Sequence, residues 1–319
     1  MAWCRTRLTE TPSQPVLVVA GPTASGKSAL ALYAAEAFGG VIVNADALQM
    51  YAGLRVLSAR PSLSEEERAP HCLYGVLADD EICSAARWAR MAAGEIARAH
   101  EAGKLPILTG GTGLYLKALI EGLAPMPEVP EPYRNSARLL VSEIGAQALH
   151  ARLAQSDPVM ATRLKPTDTQ RVTRAWEVIE ATGRSLADWQ AMKGKPYPAR
   201  FVSIFVMPER DELYRSCDAR FLKMLETGAL NEARRYLKAP DDLPVLRALG
   251  LNELIRHLKG ELPLDEATKL AQAATRHYAK RQVTWFRHQM QPSHALNAQF
   301  SESLWPKIFP IIRGFLLTG

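Results

Sequence analysis

The segment Val16-Leu-Val-Val-Ala-Gly21-Pro-Thr-Ala-Ser-Gly26-Lys27-Ser28 decides the fold of this chain. It joins an apolar stretch of strand length to a G-x-x-x-x-G-K-S motif, and a helix-forming run begins directly afterwards at Ala29. A strand, a glycine-rich turn and a helix in this order make a phosphate loop (P-loop), whose backbone N–H groups surround phosphate oxygens. The residues that we predict to bind phosphate are Gly21, Pro22, Thr23, Ala24, Ser25, Gly26, Lys27 and Ser28.

Two side chains of the P-loop indicate what it holds. Lys27 supplies a positive charge for phosphate oxygens, and the Ser28 hydroxyl is placed to bind a magnesium ion. We therefore expect Mg²⁺ as the cofactor, with Ser28 as its protein ligand. A glycine turn that merely joins strand to helix is the simpler alternative, but it would not require Lys27 and Ser28 at these offsets. The motif leaves open which phosphate compound is bound.

The composition is that of one large domain with a second, smaller one. The chain has 319 residues, of which 47% are hydrophobic, ample for a sizeable core. Neither Met1–Pro15 nor any later stretch has the apolar length of a signal peptide or a membrane span, so we expect a cytoplasmic protein with no membrane partner. The cysteines lack C-x-x-C spacing, which argues against a zinc site or a disulfide framework. They are Cys4, Cys72, Cys83 and Cys217.

The net charge of +6 is moderate, but its distribution is uneven. No acidic residue lies between Glu266 and Glu302. Basic and aromatic residues alternate there, and on a helix they would form neighbouring rows that suit a nucleic-acid backbone and its bases. A solvated helix face is the other interpretation of such a charge run. The residues concerned are Lys269, Arg276, His277, Tyr278, Lys280, Arg281, Trp285, Phe286, Arg287 and His288.

Expected strands alternate with expected helices along the first part of the chain. Val41–Asp46 and Leu105–Thr109 are short apolar strands, and Ser84–Ala102 between them is an alanine-rich helix closed by Gly103. This alternation predicts an α/β fold, a P-loop core in which helices flank a parallel sheet. Ligands of such sheets bind beyond the carboxyl ends of the strands, where the P-loop, Asp46 and Gly110–Gly113 all fall.

A second, all-helical domain is inserted into this core. Four prolines in Pro125–Pro132 interrupt the alternation, and a helical, fairly polar region follows up to Pro196-Tyr-Pro198. Phe201–Val206 then resumes the strand pattern, with amphipathic helices over much of Asp211–Met290. We therefore assign residues 1–127 and 199–319 to the P-loop core and 128–198 to the helical domain. The apolar tail Ile308–Leu317 is expected to pack against the core.

Three further sites are candidates for chemistry. Asp46, after an expected strand, would bind magnesium, act as a general base toward an acceptor, or merely cap the next turn. The glycines of Thr109–Gly113 allow a ligand to approach closely, and Thr112 adds a hydroxyl. This strand ends without an acidic residue, which weakens an ATP-hydrolysing interpretation. Arg220 would clamp a departing phosphate, or serve as an ordinary surface ion-pair residue.

Together these residues match a known family over nearly the whole chain. The chain resembles the tRNA dimethylallyltransferases, also called tRNA isopentenyltransferases. The P-loop alone is generic, but the last matching segment and the order of all six are specific. The matching segments are Gly21–Ser28, Asp46–Gln49 with Tyr51, Gly110–Tyr115, Asp168–Arg174, Arg220-Phe221 and Lys280–Arg287.

The resemblance implies a reaction and its partners. In the family the P-loop binds the diphosphate of dimethylallyl pyrophosphate, and the acceptor is N6 of the adenosine immediately 3′ of the anticodon. Asp46 matches the family's base, Thr112 matches a residue at the junction of the two substrates, and Arg220 lies on the leaving side. The inserted domain would grip the anticodon stem-loop of the tRNA. We expect the protein to be a monomer.

The resemblance also implies tRNA contacts at named positions of this chain. Arg134 is carried over by its position after the proline-rich linker, and the others by the matching segments. These residues are Asp46, Ala47, Leu48, Gln49, Thr112, Arg134, Gln170, Arg171, Val172, Thr173, Arg174, Arg247, Lys280, Arg281, Gln282, Trp285 and Arg287.

The chain departs from the family pattern at three places. Leu57–Pro61 carries Arg60 where the family has lysine, Ser216-Cys217 stands for Arg-Ile, and Leu251 replaces a tyrosine. These changes leave the details of tRNA grip and substrate closure open. Two other functions also stay open: a P-loop small-molecule kinase, and a catalytically decayed tRNA-binding protein.

Overall fold

One parallel sheet organises the part of the chain that the computed structural model describes, residues 14–318. Its strands are β1 (Pro15–Ala20), β2 (Gly40–Asn44), β3 (His71–Cys72), β4 (Leu105–Gly110), β5 (Arg200–Val206) and β6 (His294–Leu296). They lie in the order β3-β2-β4-β1-β5-β6, and every neighbouring pair is parallel. The predicted α/β fold is therefore confirmed. Cys4 lies outside the described residues. The same holds for the N-terminal segment Met1–Pro15, in which we expect no signal peptide, except for Gln14 and Pro15.

Helices make up most of the remaining structure. Those preceding the proline-rich stretch are α1 (Lys27–Phe38), α2 (Leu63–Arg68), α3 (Ala85–Glu101) and α4 (Gly113–Ile120). Those between it and β5 are α5 (Glu131–Ser156), α6 (Pro158–Arg163), α7 (Thr169–Thr182) and α8 (Leu186–Gln190). Those after β5 are α9 (Arg210–Glu226), α10 (Ala229–Arg234), α11 (Leu251–Leu258), α12 (Leu264–Gln289) and α13 (Trp305–Leu317). Short 3₁₀ turns lie at Leu48–Met50, Pro244–Arg247 and Glu302–Leu304.

The central strand β1 is buried on both faces, which explains its unbroken apolar sequence. Val16 and Val18 face a core shared with α3, α4 and the helices α9 to α12. Leu17 and Val19 face a second core, which α1 and α13 cover. The apolar tail Ile308–Leu317 therefore packs as predicted, with Ile308 and Ile312 buried in this second core.

Local signals in the sequence set the helix boundaries. The Ser84 hydroxyl accepts a hydrogen bond from the backbone N–H of Arg87 at 3.1 Å, which caps α3, and Gly103 follows its end with φ of 66°. The expected strand Val41–Asp46 is shorter than predicted, because β2 ends at Asn44. The side chain of Asn44 turns the chain there, since its amide bonds the carbonyls of Asp46 and Leu73.

The described residues divide into two compact units. One comprises the chain up to Ile120 together with Tyr197 onwards and holds the whole sheet. The other, Glu121–Pro196, holds α5 to α8 around a core of its own that includes Leu149, Leu153 and Val178. Within residues 14–318, no helix combines the length and the hydropathy that crossing a bilayer would require.

Candidate active site

The P-loop runs from the end of β1 to the first turn of α1, as its motif predicts. Gly21 has φ of +156°, and a Cβ atom there would lie 2.3 Å from the carbonyl oxygen of Val206 on β5. Gly26 has φ of +87°, and a Cβ atom would lie 2.9 Å from the carbonyl oxygen of Phe300. Both glycines are therefore needed because neighbouring backbone passes directly over the loop.

Lys27 is buried at the base of this loop. Its Nζ donates a hydrogen bond to the carbonyl of Pro22 at 3.2 Å. Burial lowers the pKa of Lys27 from 10.5 to about 8, while the charge of Asp46 opposes the shift and that of Arg220 adds to it. The ammonium group thus lies in a protein environment that solvates it poorly, and an incoming anion would meet its charge directly.

Asp46 lies two residues beyond the end of β2 and is only 9% exposed. Its backbone N–H donates to Asn44 Oδ1 at 2.8 Å, and its Oδ1 accepts from the backbone N–H of Leu48 at 3.0 Å. The carboxylate therefore does cap the 3₁₀ turn, which was one of the interpretations left open. Among residues 14–318 no group donates a hydrogen bond to its Oδ2, so this oxygen is free to take a proton from a bound substrate.

The glycines at the end of β4 and just after it pack closely against protein neighbours. A Cβ atom at Gly110 would lie 2.1 Å from the backbone of Ala45, and one at Gly113 would lie 2.0 Å from the ring of Trp285. These glycines admit protein neighbours, and the expectation that they also give room to a ligand stays a prediction. Thr112 is also held by a protein contact, because its Oγ1 accepts a hydrogen bond from the backbone N–H of Ala47 at 2.9 Å.

Gln282 joins the two loops. Its Oε1 accepts from the backbone N–H of Thr23 in the P-loop at 2.8 Å, and its Nε2 donates to the carbonyl of Gly111 at 2.8 Å. The residue is 5% exposed. Both ends of its amide are therefore occupied within the protein, so Gln282 braces the site here, while its role in tRNA binding stays a prediction.

Arg220 reaches the P-loop from α9. Its Nη2 donates to the Thr23 hydroxyl at 2.5 Å, and its Nε is buried without a hydrogen-bond partner among the described residues. Burial lowers the pKa of this guanidinium, and the charges of Cys217 and Asp46 act in the opposite direction. A half-buried arginine with an unused N–H group at the mouth of a P-loop is arranged to receive an anion.

These residues line two adjoining spaces. The larger, of about 320 Å³, lies over the P-loop and is bounded by polar groups. The smaller, the apolar space, has a volume of about 30 Å³ and adds to its polar lining a group of mainly apolar side chains, namely Leu48, Leu57, Cys217, Phe221, Met224, Leu249 and Tyr278. Thr23, Asp46, Ser58 and Arg220 line both spaces. The arrangement suits a ligand with a charged end and a small apolar end, and it places a carboxylate where the two ends meet.

Ser28 is the residue assigned to Mg²⁺ from the sequence, and metal binding was also one of the interpretations left open for Asp46. It is exposed at the N-terminus of α1 and lines the larger space. Among residues 14–318, no three His, Cys, Asp or Glu side chains are clustered as metal ligands. A single hydroxyl, completed by phosphate oxygens and water, is a donor set that Mg²⁺ accepts, because this ion retains water and is often bound through substrate phosphates. The residues present therefore fit Mg²⁺ held jointly with a phosphorylated ligand.

Helix α12 carries the basic and aromatic residues that the sequence singled out. Lys280, Arg281 and Arg287 are exposed and form no ion pair with another described residue, and Trp285 lies among them. Lys280, Arg281 and Trp285 line an open concavity together with His277, and Arg287 is not part of its lining. Two other predicted members are neutralised instead: Lys269 pairs with Asp265 at 3.7 Å and Arg276 with Asp218 at 2.5 Å.

The positions predicted in the helical unit divide by exposure. Gln170 and Arg171 are exposed at the start of α7. Val172 is fully buried in the core of this unit, and the Thr173 hydroxyl donates to the carbonyl of Thr169 at 2.7 Å. Val172 and Thr173 therefore support α7 rather than present side chains to a partner.

The remaining predicted positions are partly occupied by protein contacts. Arg174 pairs with Glu177 at 2.9 Å, and Arg134 donates to the carbonyl of Val129 at 2.8 Å. Gln49 donates to the carbonyl of Ala59 at 2.8 Å, so it holds the loop that follows it. Arg247 is exposed.

Several residues that line the two spaces were not predicted as members of the site. They include Ser58 and Gln299, and also Tyr278, which the sequence placed among the basic and aromatic residues of a helix. Tyr278 lies beside Thr112, and burial raises the pKa of its hydroxyl, so this hydroxyl stays neutral. Only Tyr278 had a signal in the sequence, since it lies within the acid-free stretch of α12. Ser58 and Gln299 reach the site through loops whose paths follow from long-range packing.

The three departures from the family pattern have distinct places in the structure. Leu251 is fully buried in the core that includes Phe221. Cys217 is buried and lines the apolar space, and burial raises the pKa of its thiol. The guanidinium of Arg60 packs over Gly75, where a Cβ atom would lie 2.2 Å from Nη1.

Comparison with known proteins gives consistent matches over nearly the whole chain. Residues 49–289 match the family model described as IPP transferase. A tRNA dimethylallyltransferase of Rhodospirillum centenum is 57% identical over 282 residues, which cover 87% of this chain and 90% of the relative. The crystal structure of the full-length tRNA isopentenylpyrophosphate transferase from Bacillus halodurans is 31% identical, with a TM-score of 0.68 and coverage of 96% and 97% of the two chains.

A more distant structure is also similar. It belongs to a eukaryotic dimethylallyltransferase captured while acting on tRNA. Its TM-score is 0.81 at 25% identity, with 96% of this chain and 80% of that chain covered. The likeness therefore extends across both units of the chain described above.

Proposed function

This chain belongs to the IPP transferase family, and on that basis we propose that it transfers a dimethylallyl group from dimethylallyl pyrophosphate to tRNA. The acceptor is N6 of the adenosine immediately 3′ of the anticodon, and the products are N6-dimethylallyladenosine and pyrophosphate. One observation carries the proposal. Asp46 lies where the polar space over the P-loop meets the small apolar space, so its carboxylate borders the place where the diphosphate and the dimethylallyl group of the donor are joined.

The two spaces suit the two parts of the donor. The diphosphate belongs over the P-loop, beside Lys27 and Arg220. The five-carbon dimethylallyl group belongs in the apolar space, against side chains such as Phe221 and Met224. This placement directs the carbon that bears the leaving group toward Asp46, because Asp46 lines both spaces.

The chemical step forms an N–C bond and breaks the C–O bond to the diphosphate. The adenine amine is a weak nucleophile because its lone pair is delocalised into the ring. Asp46 Oδ2, which has no donor among the described residues, accepts the amine proton as the new bond forms. The C–O bonding electrons leave with the diphosphate, whose growing negative charge meets Lys27, Arg220 and the N–H groups of the P-loop. When bound at Ser28, Mg²⁺ would add positive charge on this leaving side.

The tRNA requires a surface as well as a pocket. We assign the unpaired cations of α12, Lys280, Arg281 and Arg287, to phosphates of the anticodon loop, with Trp285 available to stack on a base. We assign the inserted domain, residues 128–198, to the anticodon stem-loop, through exposed residues such as Gln170 and Arg171. The target adenosine must leave the loop stack to reach Asp46. A tRNA substrate is consistent with a cytoplasmic protein, and we expect it to act as a monomer.

The test is a direct transfer assay. The protein is incubated with Mg²⁺, dimethylallyl pyrophosphate and an unmodified tRNA that carries adenosine next to the anticodon, and the digested nucleosides are analysed by mass spectrometry. We expect N6-dimethylallyladenosine, and we expect Asp46→Asn to lower the transfer rate by about 100-fold or more, the usual contribution of a general base. The tRNA affinity of that variant should stay close to that of the wild type.

The alternative functions predict other results. A small-molecule kinase would be stabilised against heat by ATP and not by dimethylallyl pyrophosphate, because only a ligand of the folded state raises the melting temperature. A decayed tRNA-binding protein would bind the tRNA yet leave it unmodified. Full transfer activity in Asp46→Asn would remove this carboxylate from the mechanism.

A further inference from the structure

A segment near the end of the chain forms one wall of the space over the P-loop. After β6 the chain passes across the loop, and the backbone N–H of Phe300 donates to the carbonyl of Ser25 at 3.1 Å. Phe300 itself is buried, with its ring 5.8 Å from that of Tyr33 on α1. Because Gly26 packs directly against its backbone, this segment has a fixed position relative to the P-loop.

Gln299, the residue before Phe300, lines the space over the P-loop. Its Oε1 accepts a hydrogen bond from the hydroxyl of Ser216 on α9, and Ser216 lines the same space. Among residues 14–318, its Nε2 has no hydrogen-bond partner. The amide is thus held by its oxygen, which leaves two N–H donors free in a space that also contains Lys27 and Arg220.

Helix α9 therefore supports the phosphate site at two successive turns. Ser216 holds Gln299, and Arg220, four residues later on the same face, holds Thr23 of the P-loop. The two contacts lead to two kinds of donor, a charged guanidinium and a neutral amide. A neutral donor adds a hydrogen bond to an anion without placing a further buried cation beside Lys27, whose pKa burial already lowers.

We propose that Gln299 is a donor-binding residue, whose amide N–H groups bind an oxygen of the diphosphate, and that Ser216 is the positioning residue that orients it. This inference rests on the proposed function, because it concerns the phosphate end of the same substrate. Gln299 lies outside every motif of the resemblance. The Ser216–Gln299 pair thus supplies a neutral contact in the space that also contains Lys27 and Arg220.

The first experiment measures binding of inorganic pyrophosphate, in the presence of Mg²⁺, to the full-length protein by calorimetry. Gln299→Ala should raise the Kd by about tenfold, the size expected for one hydrogen bond to a charged oxygen. Gln299→Glu, which keeps the size and the acceptor for Ser216, should raise the Kd by about 100-fold because a carboxylate then faces the anion. Gln291→Ala, which changes an exposed glutamine just before β6 that lines neither space, is the control and should leave the Kd unchanged.

The role of Ser216 is tested by combining variants. Ser216→Ala should raise the Kd for pyrophosphate by about threefold, and adding it to Gln299→Ala should have no further effect, because Ser216 acts only through Gln299. The affinity for tRNA should be unchanged in every variant, which a general loss of folding would not allow. A Gln299→Glu protein that binds pyrophosphate within about twofold of the wild type would overturn the assignment and leave Gln299 a structural residue.

Failure of this inference is distinguishable from failure of the proposed function. If the wild type transfers dimethylallyl groups and all the Gln299 variants bind pyrophosphate equally well, only the role of Gln299 is wrong. If the wild type binds pyrophosphate in a Gln299-dependent way yet modifies no tRNA, the site assignment holds and the proposed reaction is wrong. A wild type that does not bind pyrophosphate would contradict both.

Discussion

Lys27 shows how phosphate binding conflicts with folding at a single residue. Its ammonium group is 9% exposed, and burial lowers its pKa from 10.5 to about 8. Because the folded-state pKa lies below the unfolded one, the unfolded chain binds this proton more tightly. The charge therefore destabilises the free protein, fully below about pH 8 and no longer above about pH 10.5.

Replacing Lys27 by methionine should consequently stabilise the protein that has no ligand bound. We expect the free energy of unfolding at pH 7 to rise by about 1–3 kcal/mol, after allowing for the lost bond to Pro22, and the gain to shrink as pH approaches 10. Urea unfolding at several pH values measures this, with the exposed Lys104→Met as the control. The same variant should lose pyrophosphate binding. A Lys27→Met protein less stable than the wild type at pH 7 would contradict the argument.

The residues of the site differ in how far the sequence revealed them. The P-loop, Asp46, Thr112 and Arg220 lie together as expected, because their types and spacing follow from phosphate chemistry and from the carboxyl edge of a parallel sheet. Gln299 had no such signal. Its role depends on where a distant segment packs, and a single sequence does not contain that information.

At the scale of elements, a buried carboxylate fixes the loop that borders both spaces. Glu232 on α10 is 9% exposed. It accepts hydrogen bonds from the backbone N–H groups of Arg55, Val56 and Leu57 at 2.7–2.9 Å. Leu57 lines the apolar space, and Ser58 lines both spaces. The position of the loop therefore depends on a helix nearly 180 residues further along the chain.

We expect Glu232→Ala to destabilise the protein by about 2–4 kcal/mol, because it leaves three backbone N–H groups without their acceptor. It should also raise KM for dimethylallyl pyrophosphate, since the loop would no longer hold Leu57 against the prenyl group. Glu232→Gln keeps one acceptor oxygen and should cost less. Urea unfolding and steady-state kinetics measure both effects, with the exposed Glu226→Ala as the control. Unchanged stability and KM in Glu232→Ala would show that other contacts hold the loop.

Helix α12 serves both the site and the proposed tRNA surface. Its buried face carries Gln282, and its exposed face carries Arg281. Arg281→Ala should weaken tRNA binding and reduce the slope of log K against log salt by about one, the value expected for one lost phosphate contact. Lys269 lies on the same helix about 18 Å away and pairs with Asp265. Lys269→Ala should leave the slope unchanged, and an equal slope in the wild type and Arg281→Ala would exclude a phosphate contact there.

The elements that the sequence predicted best are those with strong local signals. The strand pattern at Leu105–Thr109 and the helix from Ser84 to Ala102 match β4 and α3 to within a residue at each end. The short edge strands β3 and β6, of two and three residues, were not predicted. Such strands have too few residues to show a period, and only pairing with β2 and β5 defines them.

At the scale of the whole molecule, the inserted helical unit begins and ends at one place. The backbone N–H of Tyr197 donates to the carbonyl of Leu119 at 2.9 Å, so the core chain enters and leaves the insertion at adjacent points. Within the insertion, a Cβ atom on Gly122 would lie 2.7 Å from the carbonyl carbon of Gly194, so its own ends are adjacent too. Each unit also has a core of its own.

These contacts predict that the two units fold without each other. A chain in which a short Gly-Ser linker of about four residues replaces 121–196 should keep the melting temperature of the core and bind pyrophosphate within about threefold of the wild type, because no residue of the phosphate site lies in the insertion. Residues 121–196 expressed alone should give a helical circular dichroism spectrum with a cooperative thermal transition.

The shortened core should bind tRNA at least about tenfold more weakly, since it has lost the domain assigned to the anticodon stem. If the shortened core retains full tRNA affinity, α12 alone accounts for tRNA binding. If it cannot bind pyrophosphate, the insertion is needed to form the P-loop site.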